Sequence, residues 1–332
     1  YKLSDELEAE IEEYVLDGKD LGELPVGKDV GRVHTKRSGM QDYVDYIRST
    51  VDGDFSNLKI ALDCANGASF ECAKLLFDSL GAKAEYICNT PDGCNINDGC
   101  GSTHTQKLSE YVKNGGFDLG LAFDGDADRL LAVDENGTLV DGDKIMAICA
   151  LELRKQGKLK KDTVVATVMS NLGFFNALKA KGIKYEQTTV GDRYVLENML
   201  ANGYCIGGEQ SGHIIFLDYN TTGDGLMTAV RLTCALRDSG KKMSDLASVV
   251  EILPQVLVNA RIKNENKNTY MENKEIAEAI RKIEEKFAGN GRVLIRPSGT
   301  EPLVRVMIEG KDKSEIKEEA TALAKMIEER LG

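Results

Sequence analysis

Four things are missing from this chain of 332 residues. No run approaches the roughly 20 apolar residues of a membrane span, and no charged n-region with an apolar h-region opens the sequence. No basic stripe interrupts a net charge of −12, so the field disfavours nucleic acid and anionic membranes as partners. No C-x-x-C pair occurs among the 8 cysteines, several of which fall inside apolar strand or helix patterns, the usage of reduced, buried thiols. Cys94, Cys100 and His104 fit no common zinc spacing and lack a fourth ligand; a glycine-rich structural loop is the better reading. These absences lead to the expectation of a cytoplasmic protein, and the length suggests two or three domains.

What the chain does have is Asp124-Gly125-Asp126-Ala127-Asp128-Arg129, three carboxylates at alternate positions of a glycine-containing loop. Crowded carboxylates must raise their own pKa values or bind a cation, and a set of hard oxygens favours Mg²⁺ or Ca²⁺. Apolar runs on both sides, Leu119 to Phe123 and Leu130 to Val133, set the loop at the end of a buried strand. An EF-hand would place Glu135 at its twelfth position, but it needs glycine where Arg129 stands and helices where these flanks read as strands.

Hydrophobic periodicity alternates strand with helix along most of the chain, which implies α/β layers. Ser4 is a natural N-cap for an acidic amphipathic helix; Asp143 is expected to cap a helix over 144–156, and Asp192 a later one. Beyond Pro254 a strand, a charged stretch, a helix, two strands around a loop and a final helix read as a small α+β domain.

Two more loops carry polar chemistry. Arg296-Pro297-Ser298-Gly299-Thr300-Glu301-Pro302, with Arg305 after it, offers guanidinium, hydroxyl and glycine-freed N–H groups suited to a phosphate dianion; a plain hairpin turn is the alternative. Gly208-Glu209-Gln210-Ser211-Gly212-His213 suits sugar hydroxyls, although a lone histidine is more often structural.

In this order the three loops resemble the α-D-phosphohexomutase family, over nearly the whole chain. Gln210, the stretch NINDGCGSTH and VGDRYV are most similar to its bacterial phosphoglucosamine mutase branch. The resemblance implies tandem mixed-sheet α/β domains and a small α+β C-terminal domain. Residues 1–30 would be the end of domain 1, 31–140 domain 2 with the metal loop, 141–252 domain 3 with the sugar loop, and 253–332 domain 4 with the phosphate loop. It implies an isomerase that interconverts glucosamine 6-phosphate and glucosamine 1-phosphate through a phosphoserine and a hexosamine 1,6-bisphosphate. The alternatives are a phosphoglucomutase/phosphomannomutase or a non-catalytic sugar-phosphate-binding module.

By the same resemblance Asp124, Asp126 and Asp128 hold Mg²⁺ and Arg129 assists phosphoryl transfer. Arg193, Glu209, Ser211 and His213 contact the hexosamine phosphate, and Arg296, Ser298, Gly299, Thr300 and Arg305 hold its non-transferring phosphate. A homo-oligomer is allowed. The family's nucleophile lies in an S-A-S-H-N-P-like loop, and no such segment occurs here. The expectation is therefore an N-terminally truncated member, inactive alone, whose first helix exposes an apolar face.

Overall fold

The computed structural model describes every residue except Lys2, Arg37, Asn268, Gly299 and Thr300. In chain order the elements begin with α1 (Asp5–Val15), α2 (Gly39–Ser49), β1 (Lys59–Asp63), α3 (Ser69–Ser79), β2 (Lys83–Ile87), α4 (Gln106–Gly115), β3 (Leu119–Phe123), β4 (Leu130–Asp134), β5 (Leu139–Val140) and α5 (Gly142–Lys155). They continue with β6 (Thr163–Thr167), α6 (Leu172–Ala180), β7 (Lys184–Thr188), α7 (Asp192–Asn202), β8 (Ile206–Gly208), β9 (Ile214–Phe216), α8 (Gly225–Ser239) and α9 (Met243–Ala247). The last are β10 (Gln255–Arg261), α10 (Lys274–Phe287), β11 (Gly291–Pro297), β12 (Leu303–Gly310) and α11 (Lys313–Leu331).

Two compact units form, each from discontinuous chain: residues 1–168 with 186–247, and residues 169–185 with 248–332. The first holds a five-stranded mixed sheet of order β2-β1-β3-β4-β5. Its β1 pairs in parallel with β2 and β3, and β3 turns back antiparallel into β4. β3 is buried at every position, so it reads as an unbroken apolar run, as a strand covered on both faces should. Leu108 and Val112 of α4 pack with Ala61, Ala122 and Val133 across one face. A second sheet runs β7-β6-β8-β9, with Val195 and Met199 of α7 against Val165 and Ile215.

The second unit carries the antiparallel sheet β10-β12-β11 under α10 and α11. Ile276, Ile280, Ile283 and Phe287 form the buried stripe of α10, at the spacing one helix face demands, and Asn273 caps it by accepting the Glu275 and Ile276 N–H groups. Each such aliphatic burial contributes about 1.5–3 kcal/mol.

Two expected caps differ. Asp141, in extended backbone, accepts the Lys144 N–H at 3.1 Å and caps α5, while Asp143 lies buried inside the first turn. Gly191 occupies the N-cap of α7 with a φ of 129°, and Asp192 is already helical. In both cases the residue whose backbone stays extended, or can adopt a conformation that L side chains rarely take, starts the helix. α1 is capped by Ser4 as expected, and none of its residues is buried. Among the described residues no helix is long and apolar enough to cross a membrane.

Candidate functional site

Because β1 and β3 are parallel, their carboxyl ends share one edge of the sheet, where open α/β sheets place their ligands. Asp63 ends β1, and the loop Asp124–Arg129 joins β3 to β4, whose register runs Phe123 to Leu130. Backbone from four directions fixes that loop. Ala68 donates to the Gly125 carbonyl at 2.8 Å, Ser102 to the Phe123 carbonyl at 2.8 Å, Gly225 to the Ala127 carbonyl at 2.9 Å, and Leu130 to the Gly212 carbonyl at 3.1 Å. The approaches are so close that a Cβ on Gly67 would stand 2.2 Å from the Gly125 oxygen. Asn66-Gly67 is a turn pair by composition, but its role as a buttress comes from the distant loop that packs on it.

The three carboxylates converge, each offering an oxygen within 4.8 Å of the others. Asp124 is 7% exposed; its Oδ1 accepts the Arg129 N–H at 3.0 Å, and Oδ2 lies 3.7 Å from Arg129 Nε. Burial, and then the charges of Asp128 and Asp126, push its carboxyl up to about 6. Asp128 Oδ1 is buried with no hydrogen-bond partner; Arg129 Nε stands 3.8 Å away, beyond hydrogen-bonding reach. Asp126 is exposed at the rim. One guanidinium against three carboxylates leaves negative charge, and a buried oxygen without a donor is costly unless a cation takes it up. A hard divalent cation fits this donor set. Glu135, the twelfth position of the EF-hand alternative, accepts from the Ser244 hydroxyl and N–H at 2.5 and 3.1 Å, so its carboxylate is committed to α9.

His213 is 4% exposed, and its Nδ1 lies 3.1 Å from Asp128 Oδ2. Gly223 donates its N–H to Nε2 at 3.2 Å, so the lone pair is on Nε2 and the proton on Nδ1, which donates to Asp128. Asp192 Oδ2 stands 3.4 Å from the same Nε2. A β-bridge between Arg129 and His213 joins the loop of residues 208–213 directly to the aspartate loop. Glu209 Oε1 accepts the Gly191 N–H at 3.1 Å, Ser211 Oγ is 3.5 Å from Glu209 Oε2, and Gln210 Nε2 reaches Asp141 at 3.4 Å. Arg193 pairs with Glu197 at 2.9 Å and with Asp5. The structure thus brings together the aspartate loop and the loop that carries Glu209, Ser211 and His213, and gives Arg193 acidic partners on α7 and α1.

In the second unit Arg296 and Arg305 are register partners in the β11–β12 ladder. Burial, and then Arg305, hold the Arg296 guanidinium below its ordinary value. Ser298 is buried, and its Oγ accepts the Glu301 N–H at 3.2 Å. Gly299 and Thr300 lie outside the described residues.

Residues 41–137, 141–252 and 257–326 match, in turn, the family models described as phosphoglucomutase/phosphomannomutase α/β/α domain II, α/β/α domain III and C-terminal domain. Phosphoglucosamine mutase of Acetivibrio thermocellus is 58% identical over 332 residues, all of this chain and 74% of its own length. That of Clostridioides difficile is 56% identical over 331 residues, again 74% of its length. Among solved structures, a Burkholderia thailandensis phosphoglucomutase/phosphomannomutase family protein superposes with a TM-score of 0.74 at 20% identity, over 100% of this chain and 72% of that one. Aspergillus fumigatus N-acetylphosphoglucosamine mutase, in complex with GlcNAc-6P and magnesium, gives 0.73 at 20% identity, over 89% and 67%. The last two establish a shared fold; the family models and the curated relatives establish that this chain belongs to the phosphoglucomutase/phosphomannomutase family.

Proposed function

We propose that this chain carries the metal, sugar and phosphate sites of a phosphoglucosamine mutase, which interconverts glucosamine 6-phosphate and glucosamine 1-phosphate through a phosphoserine and a hexosamine 1,6-bisphosphate. The observation that carries the reading is the Asp124, Asp126 and Asp128 cluster, with its unsatisfied Asp128 oxygen, joined to the sugar loop by the Arg129–His213 bridge. The identity to curated phosphoglucosamine mutases supports the amino sugar over glucose or mannose phosphates.

Asp124, Asp126 and Asp128 would hold Mg²⁺, which supplies neutralisation of charge at the transferring phosphoryl group. Arg129, beside them and exposed, is placed to add a second positive group there. His213 orients Asp128 from within. Glu209 and Ser211 would accept and donate to sugar hydroxyls, Arg193 would meet the substrate once released from Asp5, and Arg296, Ser298, Gly299, Thr300 and Arg305 would grip the phosphate not being transferred. The reading assigns the phosphoserine to residues other than these, and divides the chain at 1–30, 31–140, 141–252 and 253–332. It also puts the protein in the cytoplasm, with a hexosamine phosphate as ligand and a homo-oligomer allowed.

The test is an assay of the full-length gene product for conversion of glucosamine 6-phosphate, beside glucose and mannose 6-phosphates, with and without Mg²⁺. Preference for the amino sugar, lost in Asp126→Ala, is expected. Preference for glucose or mannose phosphate would move the protein to the sister activities, and tight sugar-phosphate binding without turnover would make it a binding module.

A further inference from the structure

A second cluster lies on the strand edge behind the metal loop. Asp63, Cys88 and Cys100 each place a ligand atom within 4.8 Å of the other two, and Lys107 Nζ is 3.2 Å from Cys88 Sγ. Cys88 is partly exposed, with a φ of 49° that few residues besides glycine adopt; its carbonyl accepts the Asn66 N–H at 2.6 Å. Cys100 is fully buried. Asp63 accepts the Ala65 and Gly101 N–H groups, each at 3.0 Å, and its carboxylate also hydrogen-bonds the Cys88 side chain. A metal ion would need both thiolates, and the Lys107 ammonium already stands at one of them.

Cys88 is the sulfur that solvent and the Lys107 ammonium both reach, while burial pushes the Cys100 thiol up to about 12 and keeps its proton. Those are the unequal roles a dithiol needs: one nucleophile and one protonated partner in reach. We propose that Cys88 and Cys100 are a dithiol that hydrogen peroxide converts into a disulfide, Cys88 attacking and Cys100 resolving. In the first step the Cys88 thiolate forms an S–O bond, the O–O bond breaks and hydroxide leaves, so sulfur is oxidised to a sulfenic acid and peroxide is reduced. In the second step the Cys100 sulfur displaces that oxygen, and the hydroxide leaves as water with the Cys100 proton. The sum is two thiols and one peroxide giving one disulfide and two waters. A sulfur–sulfur bond of about 2.05 Å draws the two residues together from their present spacing. Gly101 and Ser102 follow Cys100 in the chain, and Ser102 holds the Phe123 carbonyl next to Asp124, so the bond pulls on the metal loop.

The sulfur chemistry is independent of the function proposed above; its effect on metal binding rests on that reading. The reduced full-length protein is treated with hydrogen peroxide, alkylated, and cleaved before aspartate, which separates Cys88 (78–91), Cys94 (92–97) and Cys100 (98–117) into different fragments. A dithiothreitol-reversible link between 78–91 and 98–117 is expected, forming about tenfold or more slowly in Lys107→Met, where the stabilising charge is gone. A link to 92–97 instead, or oxidation at Cys94 with Cys88 and Cys100 still alkylated, overturns the proposal. So does stoichiometric zinc that survives washing and protects both thiols. Calorimetry with Mg²⁺ on the linked protein then tests the metal loop separately: unchanged affinity removes the coupling and leaves the dithiol standing.

Discussion

Arg296 and Arg305 face each other across the β11–β12 ladder, two guanidiniums on the same face of one sheet. Like charges directly opposite are destabilising in a β-sheet, and Glu301, 3.7 Å from Arg305, offsets one of them only. Such a pair repays its cost when an anion binds, because a phosphate dianion takes a bond from each. Arg296→Ala and Arg305→Ala should each weaken hexosamine phosphate binding by about 1.5–3 kcal/mol, the loss of a charged hydrogen bond. The unliganded protein should melt no lower than wild type. Titration calorimetry and thermal melts together check this; a lower melting temperature with unchanged affinity would make the pair structural.

Asp124 sets a pH dependence. Its carboxyl lies at about 6 in the folded protein against 3.8 ordinarily, so the folded state binds a proton that the unfolded chain releases. Metal-free protein should therefore gain stability as pH falls from 7 towards 4, and lose that gain as pH rises through 6. Mg²⁺ competes for the same oxygens, so its affinity should fall by about tenfold per pH unit below 6. Denaturant titrations in chelator at pH 5 and 7 measure the first effect. If Asp124→Asn keeps the wild-type slope, another group is responsible.

His213→Gln and His213→Ala separate orientation from packing. Glutamine can still donate to Asp128, whereas alanine removes the donor to Oδ2 of that partly exposed side chain, at about 1 kcal/mol. We expect Mg²⁺ affinity to be near normal in the first and reduced at least fivefold in the second. Equal behaviour of the two in calorimetry would argue against a role in placing Asp128.

Gly212 and Gly203 form a matched contrast. Both have positive φ, 96° and 67°, but a Cβ on Gly212 would meet the Leu130 carbonyl at 2.3 Å, while nothing lies within 4 Å of one on Gly203. Gly203→Ala should cost about 1 kcal/mol of backbone strain, and Gly212→Ala clearly more, since the junction of the two loops must open. Urea unfolding of each variant gives the difference; equal losses would mean that the Gly212 contact relaxes freely.

Much of this was legible in the chain itself. The alternation of apolar runs and helical stripes marks β1 to β4 and α10 because each element buries a face of its own. The aspartate loop shows itself through the local crowding of like charge. What could not be read is what depends on distant backbone. Asp63, Cys88 and Cys100 come together only because β1 and β2 end side by side, and no spacing along the sequence encodes that. Likewise, His213 reads as a lone histidine until the bridge to Arg129 sets its ring on Asp128. The cap of α5 moved by two residues and that of α7 by one, because the choice among nearby candidates is made by backbone φ and ψ, which composition does not record.

The short segment 169–185 belongs with a unit made almost entirely from the end of the chain. Its Leu172 N–H and Asn171 amide bond to the buried Glu309 carboxylate across separations of 137 and 138 residues, and Arg292 closes the same group by reaching the Ser170 carbonyl. During synthesis, at about 5–20 residues per second, that segment waits roughly 7–30 seconds for its partners to be translated. Throughout that interval Phe174 and Phe175, both buried in the finished protein, have no completed core to enter. The nascent chain is thus most dependent on chaperones between the emergence of α6 and the completion of β12, and a ribosome stalled in that window should leave a product caught by proteases at 169–185 first.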